Sequence, residues 1–293
     1  MDERNECWDR IAGKLDHILD RLDRLLDGHL PPPPPDGEFF DRHLAFRWRR
    51  AGEGGSFQPV EHPHLPDLAD LVGIDLVRDE LVRNTAQFVD GYPANNALLW
   101  GERGTGKSTC VKGMLRLFAG EGLRLVEVLR DDLFTLPAII ASLRKMPQRF
   151  ILFCDDLSFG EGEGGYRELK ALLEGGIEER PSNILFYATS NRRHLLPERM
   201  DDNLGGEIHP EEAVSEKLSL ADRFGLNLSF YPFDQATYLA IVMRYVEKFA
   251  LPMDGDSLRR EALQWALFKG SRSGRAARQF VDDLAGRLRV ALR

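Results

Sequence analysis

Short apolar runs alternate with amphipathic stretches from about residue 67 onward, and that rhythm predicts the fold. Five runs read as strands: NALLW at 96–100, LRLVEVL at 123–129, FILFC at 150–154, NILFYATSN at 183–191 and LNLSF at 226–230. FILFC is apolar throughout, as a strand covered on both faces of a parallel sheet must be. Between the runs, helical spacing recurs around Leu76, Leu81, Val82 and Phe88, again at 111–119, over 131–145 with a break near Pro137, and at 166–180. Strands and helices in alternation predict an α/β fold with a parallel sheet flanked by helices. Three further helices, at 235–250, at 257–268 with Asp256 as candidate N-cap, and at 275–292, predict a small C-terminal all-α lid.

The chain before residue 67 follows other rules. Trp8, Ile11, Leu15, Ile18, Leu22 and Leu25 recur at alternating spacings of three and four, which predicts an N-terminal helix over 3–26 with a short heptad seam. Such a helix either associates with a copy or partner or packs on its own domain. Five prolines, Pro31 to Pro35, end it and form a stiff spacer. Residues 45–49 and 56–60, separated by a glycine-rich turn, read as a hairpin. There Phe46 and Trp48 interleave with Arg47, Arg49 and Arg50, a pattern that could stack on single-stranded nucleic acid but reads more simply as an apolar face on the domain with arginines in water. The expected division is a helix at 1–30, a linker at 31–37, the hairpin region at 38–66, an α/β nucleotide-binding domain at 67–232 and the lid at 233–293.

Composition narrows the classes. The 293 residues carry a formal net charge of −8, which argues against nucleic-acid binding by bulk charge. The C-terminal stretch 258–293 reverses that sign, but a solvated face explains it better than a nucleic-acid surface does. No apolar run approaches the roughly 18 residues that cross a bilayer, and the opening MDERNECWDR is no signal sequence, so a cytoplasmic location is expected. Cys7, Cys110 and Cys154 lack C-x-x-C spacing and indicate neither a disulfide framework nor a zinc site.

The strongest chemical signal is GERGTGKST, Gly101 to Thr109, which satisfies G-x-x-x-x-G-K-[ST] between a predicted strand and a predicted helix. Gly101, Gly104 and Gly106 let backbone N–H groups of the loop, Thr105 among them, curl around phosphate oxygens at a helix N-terminus. Lys107 is expected on the β and γ phosphates, the Ser108 hydroxyl on Mg²⁺, and Thr109 beside them. FILFC ends in Asp155 and Asp156, at the end of a strand where an open α/β sheet places chemistry. Asp155 is the expected Mg²⁺ partner and Asp156 the group that polarises an attacking water.

These motifs in this order resemble the AAA+ ATPase superfamily from about residue 67 to the C-terminus. LLWGERGTGKST, RFILFCDDLSF, LFYATSNRRHL, GEIHP and LSLADRFGL are similar to a bacterial AAA+ family known as a domain of unknown function, extending upstream to the Phe46 hairpin. The resemblance implies ATP or ADP with Mg²⁺ as ligands and adenine contacts from Val72, Gly73 and Ile74. It implies a sensor role for Asn191, which could otherwise cap a turn, and a lid arginine at Arg275 or one turn on at Arg278. It makes Arg223 an arginine finger that reaches a neighbouring subunit in a homo-oligomer; pairing with Asp222 or the acidic loop at 192–217 is the alternative. Where such proteins more often carry Asp-Glu, this chain has Asp-Asp, which leaves both slow turnover and the activity of Asp-Asp initiator-type AAA+ proteins open.

The function expected is therefore ATP hydrolysis by an oligomer that remodels or loads a macromolecule, with a protein partner docked through the N-terminal helix. An ATP-gated scaffold and a DNA-associated loader are the other readings. No aromatic-hydrophobic-glycine pore loop is evident before Phe150, which weakens a threading unfoldase.

Overall fold

The computed structural model describes residues 36–52, 54–159, 165–175, 179–192 and 220–292. The expected heptad helix, the proline spacer and nearly all of the 192–217 loop, GEIHP included, lie outside the described residues. The chain divides into two compact units, Met1–Pro34 and Pro35–Arg293, and every described residue belongs to the second.

Seven strands form one sheet: β1 (Ala45–Ala51), β2 (Gly54–Pro59), β3 (Ala97–Gly101), β4 (Leu123–Glu127), β5 (Arg149–Cys154), β6 (Ile184–Ser190) and β7 (Leu226–Phe230). Their order is β2-β1-β4-β5-β6-β3-β7. Only β1 and β2 are antiparallel neighbours; β1–β4, β4–β5, β5–β6, β6–β3 and β3–β7 are parallel. The five expected strands are all present, and the hairpin joins their sheet at its β4 edge.

Side chains alternate across the sheet as strand geometry requires. Phe150, Leu152 and Phe186 pack on one face with α1 (Gly37–Arg42), α4 (Leu136–Leu143) and α5 (Tyr166–Glu174), through Phe40, Ile139 and Leu169. Ile151, Phe153 and Tyr187 pack on the other with α2 (Asp75–Val89) and α3 (Lys107–Phe118), through Leu81, Phe88 and Met114. A separate core, with Tyr238, Ala262 and Phe280 at its centre, joins α6 (Gln235–Lys248), α7 (Gly255–Lys269) and α8 (Gly274–Leu288) into the helical lid.

Two local expectations are corrected, and for the hairpin the apolar-face reading holds. Asp254, not Asp256, caps α7: its carboxylate accepts the N–H groups of Asp256 and Ser257 at 3.0 and 3.1 Å, so the helix starts two residues earlier. The helix at 131–145 is a 3-10 turn over Arg130–Thr135 followed by α4, with Pro137 in its first turn, where a missing N–H costs no hydrogen bond. The hairpin aromatics are core residues, not a stacking surface. Phe46 and Trp48 are each 1% exposed, and Trp48 Nε1 donates to Thr135 Oγ1 at 2.9 Å. Arg47 pairs with Glu127 at 2.6 Å, Arg49 donates to Gln58 at 3.1 Å, and Arg50 lies 3.7 Å from Asp132.

Candidate functional site

Register brings three strand ends level. Trp100 is opposite Ser190 and Cys154 is opposite Ala188, so the residues after β3, β5 and β6 emerge side by side at one edge of the sheet. That edge is where the strand order reverses, with β3 between β6 and β7, and open α/β sheets bind ligands at such switch points.

After β3 the backbone turns through Gly104 and Gly106, both at positive φ, into α3. Gly101 has a different task. A Cβ there would stand 2.0 Å from the Phe230 carbonyl oxygen, so this first glycine lets β3 and β7 pair closely and does not line the cleft. At Gly104 a Cβ would come within 3.0 Å of Ser273, the N-cap of α8. The Arg275 N–H also donates to the Gly104 carbonyl at 3.3 Å, so the lid rests on the loop.

Lys107 is buried, and its Nζ donates to the carbonyl oxygens of Gly101 (2.8 Å) and Glu102 (2.7 Å) and to Asn191 Oδ1 (3.3 Å). Burial holds its ammonium below the ordinary pKa, while Glu102, Asp155 and Asp156 pull the other way. Thr105 Oγ1 closes the loop by donating to the Glu102 carbonyl at 2.8 Å. Ser108 Oγ donates to Asp155 Oδ1 at 2.6 Å. Asn191 Nδ2 donates to Asp156 Oδ1 at 2.5 Å, and Asp156 itself adopts the left-handed region with φ 56°.

These groups face a cleft of about 980 Å³ between the sheet edge and the lid. Thr109, Val72, Ile74 and Arg275 line it as well. Gly73 does not; it packs on the lid, where a Cβ would meet Thr237 at 2.4 Å. Arg278 lines the cleft but is engaged, with its guanidinium 5.0 Å over the Phe249 ring and 2.8 Å from Asp282. Arg223 lies outside the cleft. Its side chain is 21% exposed and pairs with Glu174 at the end of α5, not with Asp222, and its Nη1 is buried without a hydrogen-bond partner among the described residues.

Thr189, Arg103, Phe233 and Tyr245 line the cleft without having been singled out in the sequence. Arg103 falls inside GERGTGKST at a position the motif leaves free, and Phe233 and Tyr245 carry no motif at all. Thr189 touches both aspartates: its hydroxyl donates to Asp155 Oδ1 at 2.5 Å and accepts the Asp156 N–H at 2.9 Å.

The donor set fits a nucleotide and a hard divalent cation. A hydroxyl beside one carboxylate is how Mg²⁺ is held when substrate phosphates and water complete its shell. No group of three or more His, Cys, Asp or Glu able to cage a metal occurs among the described residues.

A seven-stranded, mostly parallel sheet, a P-loop at its switch point and a C-terminal helical lid make an AAA+-type P-loop fold, shared with the ORC1 and RuvB structures of TM-score above 0.5. Within it the chain belongs to the family described as "Protein of unknown function (DUF815)", which matches residues 41–288. Among solved structures, the chain is similar to Aeropyrum pernix ORC1 in complex with DNA, at 17% identity and TM-score 0.53 over 78% of this chain and 64% of that one. It is similar to a point mutant of Thermotoga maritima RuvB at 19% identity and TM-score 0.51, over 78% and 69%. The Thermotoga maritima RuvB Holliday junction branch migration motor aligns at 15% and 0.45, over 74% and 71%. Identities this low speak to the fold.

Proposed function

We propose that the chain is a Mg²⁺-dependent ATPase that works as a homo-oligomer on a macromolecular partner. The observation that carries this reading is the convergence of Lys107, the Ser108–Asp155 pair and the Asp156–Asn191 pair on one cleft edge. Lys107 and the N–H groups from Gly104 to Ser108 bind the phosphates. Ser108 and Asp155 would hold Mg²⁺, whose charge would offset that of the phosphates. Asp156, oriented by Asn191, positions water so that its oxygen bonds to the γ phosphorus while the β–γ bridging bond breaks, and it takes the water proton. Val72 and Ile74 flank the adenine, with Gly73 behind them, and Arg275 reaches the phosphates from the lid. Residues 67–232 form the nucleotide-binding domain and 233–293 the lid, with the helix of 1–30, the linker of 31–37 and the hairpin region of 38–66 before them.

Arg223 completes the site of a neighbouring subunit in this reading, and the N-terminal helix holds a protein partner. The test is ATP hydrolysis against protein concentration, for the natural chain and for Arg223→Ala, with mass measured in ATP. Turnover that rises with assembly and collapses in the variant supports the reading; tight binding without turnover supports an ATP-gated scaffold instead.

A DNA-associated role is the second reading, favoured by the likeness to an ORC1 solved with DNA. The basic lid, not the hairpin, would carry it, since the hairpin aromatics are buried. Duplex binding at low salt that weakens as salt rises would support it. No helix among the described residues is long and apolar enough to cross a membrane, and a cytoplasmic location belongs with this proposal.

A further inference from the structure

Thr189 is a β-branched residue one position from the C-terminal end of a buried strand, 2% exposed, and nothing in the sequence separates it from the packing residues beside it. The register makes the difference. Because Cys154 is opposite Ala188, the two residues that leave β5 pass directly over the Thr189 side chain. An amide N–H can only donate, so the hydroxyl accepts from Asp156 N, and its single proton is left for Asp155 Oδ1. The Leu157 N–H donates to the Thr189 carbonyl at 2.6 Å, so three consecutive residues are held by one.

The held turn is an uncommon one. Few non-glycine residues adopt left-handed backbone, aspartate and asparagine foremost among them, and such a conformation persists where the surroundings over-determine it. Here the turn sends the Asp156 carboxylate to Asn191 while Asp155 stays on Ser108. Two adjacent carboxylates are thus kept on separate tasks.

We propose that Thr189 is a positioning residue whose hydroxyl divides the two aspartates, holding Asp155 toward Ser108 for the metal and fixing the left-handed turn that aims Asp156 at the water. This rests on the ATPase reading of the site. The hydroxyl acts through the carboxylates and touches no reacting atom.

The experiment uses the full chain and its Thr189→Val, Thr189→Ser and Thr189→Ala variants. Affinity for a fluorescent ATP analogue is measured in EDTA and in Mg²⁺, alongside ATP turnover and melting temperature. In EDTA all variants bind within about threefold of the natural chain. In Thr189→Val the tightening conferred by Mg²⁺ falls about 10–100-fold, as does turnover, the range typical of lost outer-shell support. Thr189→Ser restores both to within about threefold. Should the valine variant fail to fold, Thr189→Ala takes its place against Thr189→Ser. The proposal is overturned if valine keeps the Mg²⁺ effect, if serine is as impaired as valine, or if the natural chain shows no Mg²⁺-dependent tightening. A natural chain that binds Mg²⁺ and nucleotide without turnover sinks the ATPase reading, while the affinity comparison still decides the role of Thr189.

Discussion

Ser108 Oγ donates to Asp155 Oδ1 at 2.6 Å, joining the start of α3 to the end of β5 across 47 residues of sequence. If this hydroxyl and carboxylate form one cation site, as proposed, each is expected to fail alone. Ser108→Ala and Asp155→Asn should each lower turnover by at least about 10²-fold, since such a cation stabilises the transition state by several kcal/mol. EDTA should abolish turnover and manganese partly restore it. Turnover indifferent to either substitution would remove the cation site from this edge.

Asp156→Asn is expected to separate binding from hydrolysis. Asparagine tolerates the left-handed region as aspartate does, so the melting temperature should hold and ATP affinity should stay within a few-fold, while turnover falls by about 10²–10⁴. Asp156→Glu should not accelerate the reaction despite its longer reach, because φ 56° at this position suits a short polar residue. A faster glutamate variant would show that reach, and not backbone, limits the site.

Much of this site is legible because the chemistry is local. A phosphate cradle needs its glycines, lysine and hydroxyl within one turn, so GERGTGKST announces itself. Thr189 is not legible: its role follows from the β5–β6 register, and a single chain does not state which strands lie side by side. The same holds for β1, whose parallel pairing with β4 bridges some 80 residues and leaves no periodic trace. Asp254 and Asp256 flank one glycine and both satisfy the rule for an N-cap, and only the coordinates of the first turn choose between them. Arg223 reads as exposed until Glu174, 49 residues upstream, arrives beside it.

That last contact sets a prediction. If Arg223 serves a neighbouring site, Glu174 competes for it within its own chain. Glu174→Gln should then raise turnover at low protein concentration, and Arg223→Ala should lower turnover of the assembled protein by about 10³–10⁵ with unchanged ATP affinity. The same loss at every concentration, assembled or not, would mean that Arg223 acts within its own subunit or on the fold.

Trp48 is expected to matter for stability alone. Trp48→Ala should cost about 3–5 kcal/mol, measured by urea unfolding, because the ring is buried against Phe57 at a centroid distance of 4.9 Å. Arg47→Ala and Arg49→Ala, on the exposed side of the same strand, should leave any DNA affinity unchanged. Loss of DNA binding in those two variants would return the hairpin to consideration as an interface.

High pH should weaken the fold from about pH 9. Burial pushes the thiols of Cys110 and Cys154 up to about 12 from 9.0, and the Tyr187 phenol up to about 12 from 10.0. Between the unfolded and folded values the folded chain holds more protons, so stability falls as pH rises through that window and is indifferent to these groups below it. Urea midpoints measured from pH 7.5 to 10.5 should be flat at first and then decline. In a Cys7→Ser background, iodoacetamide at pH 8 should label the chain only after denaturation. Rapid labelling of the native variant would contradict the burial of both thiols.

The bond from the Arg275 N–H to the Gly104 carbonyl joins two main chains, and main-chain atoms are the part of a protein that substitution leaves in place. At position 275 itself only proline deletes it. The guanidinium of residue 275 can therefore be altered, shortened or removed while the seam between lid and loop stays closed. If Arg275 serves recognition at the cleft mouth, as proposed, that role and the attachment of the lid at this point are separable: one lies in a side chain, the other in the backbone.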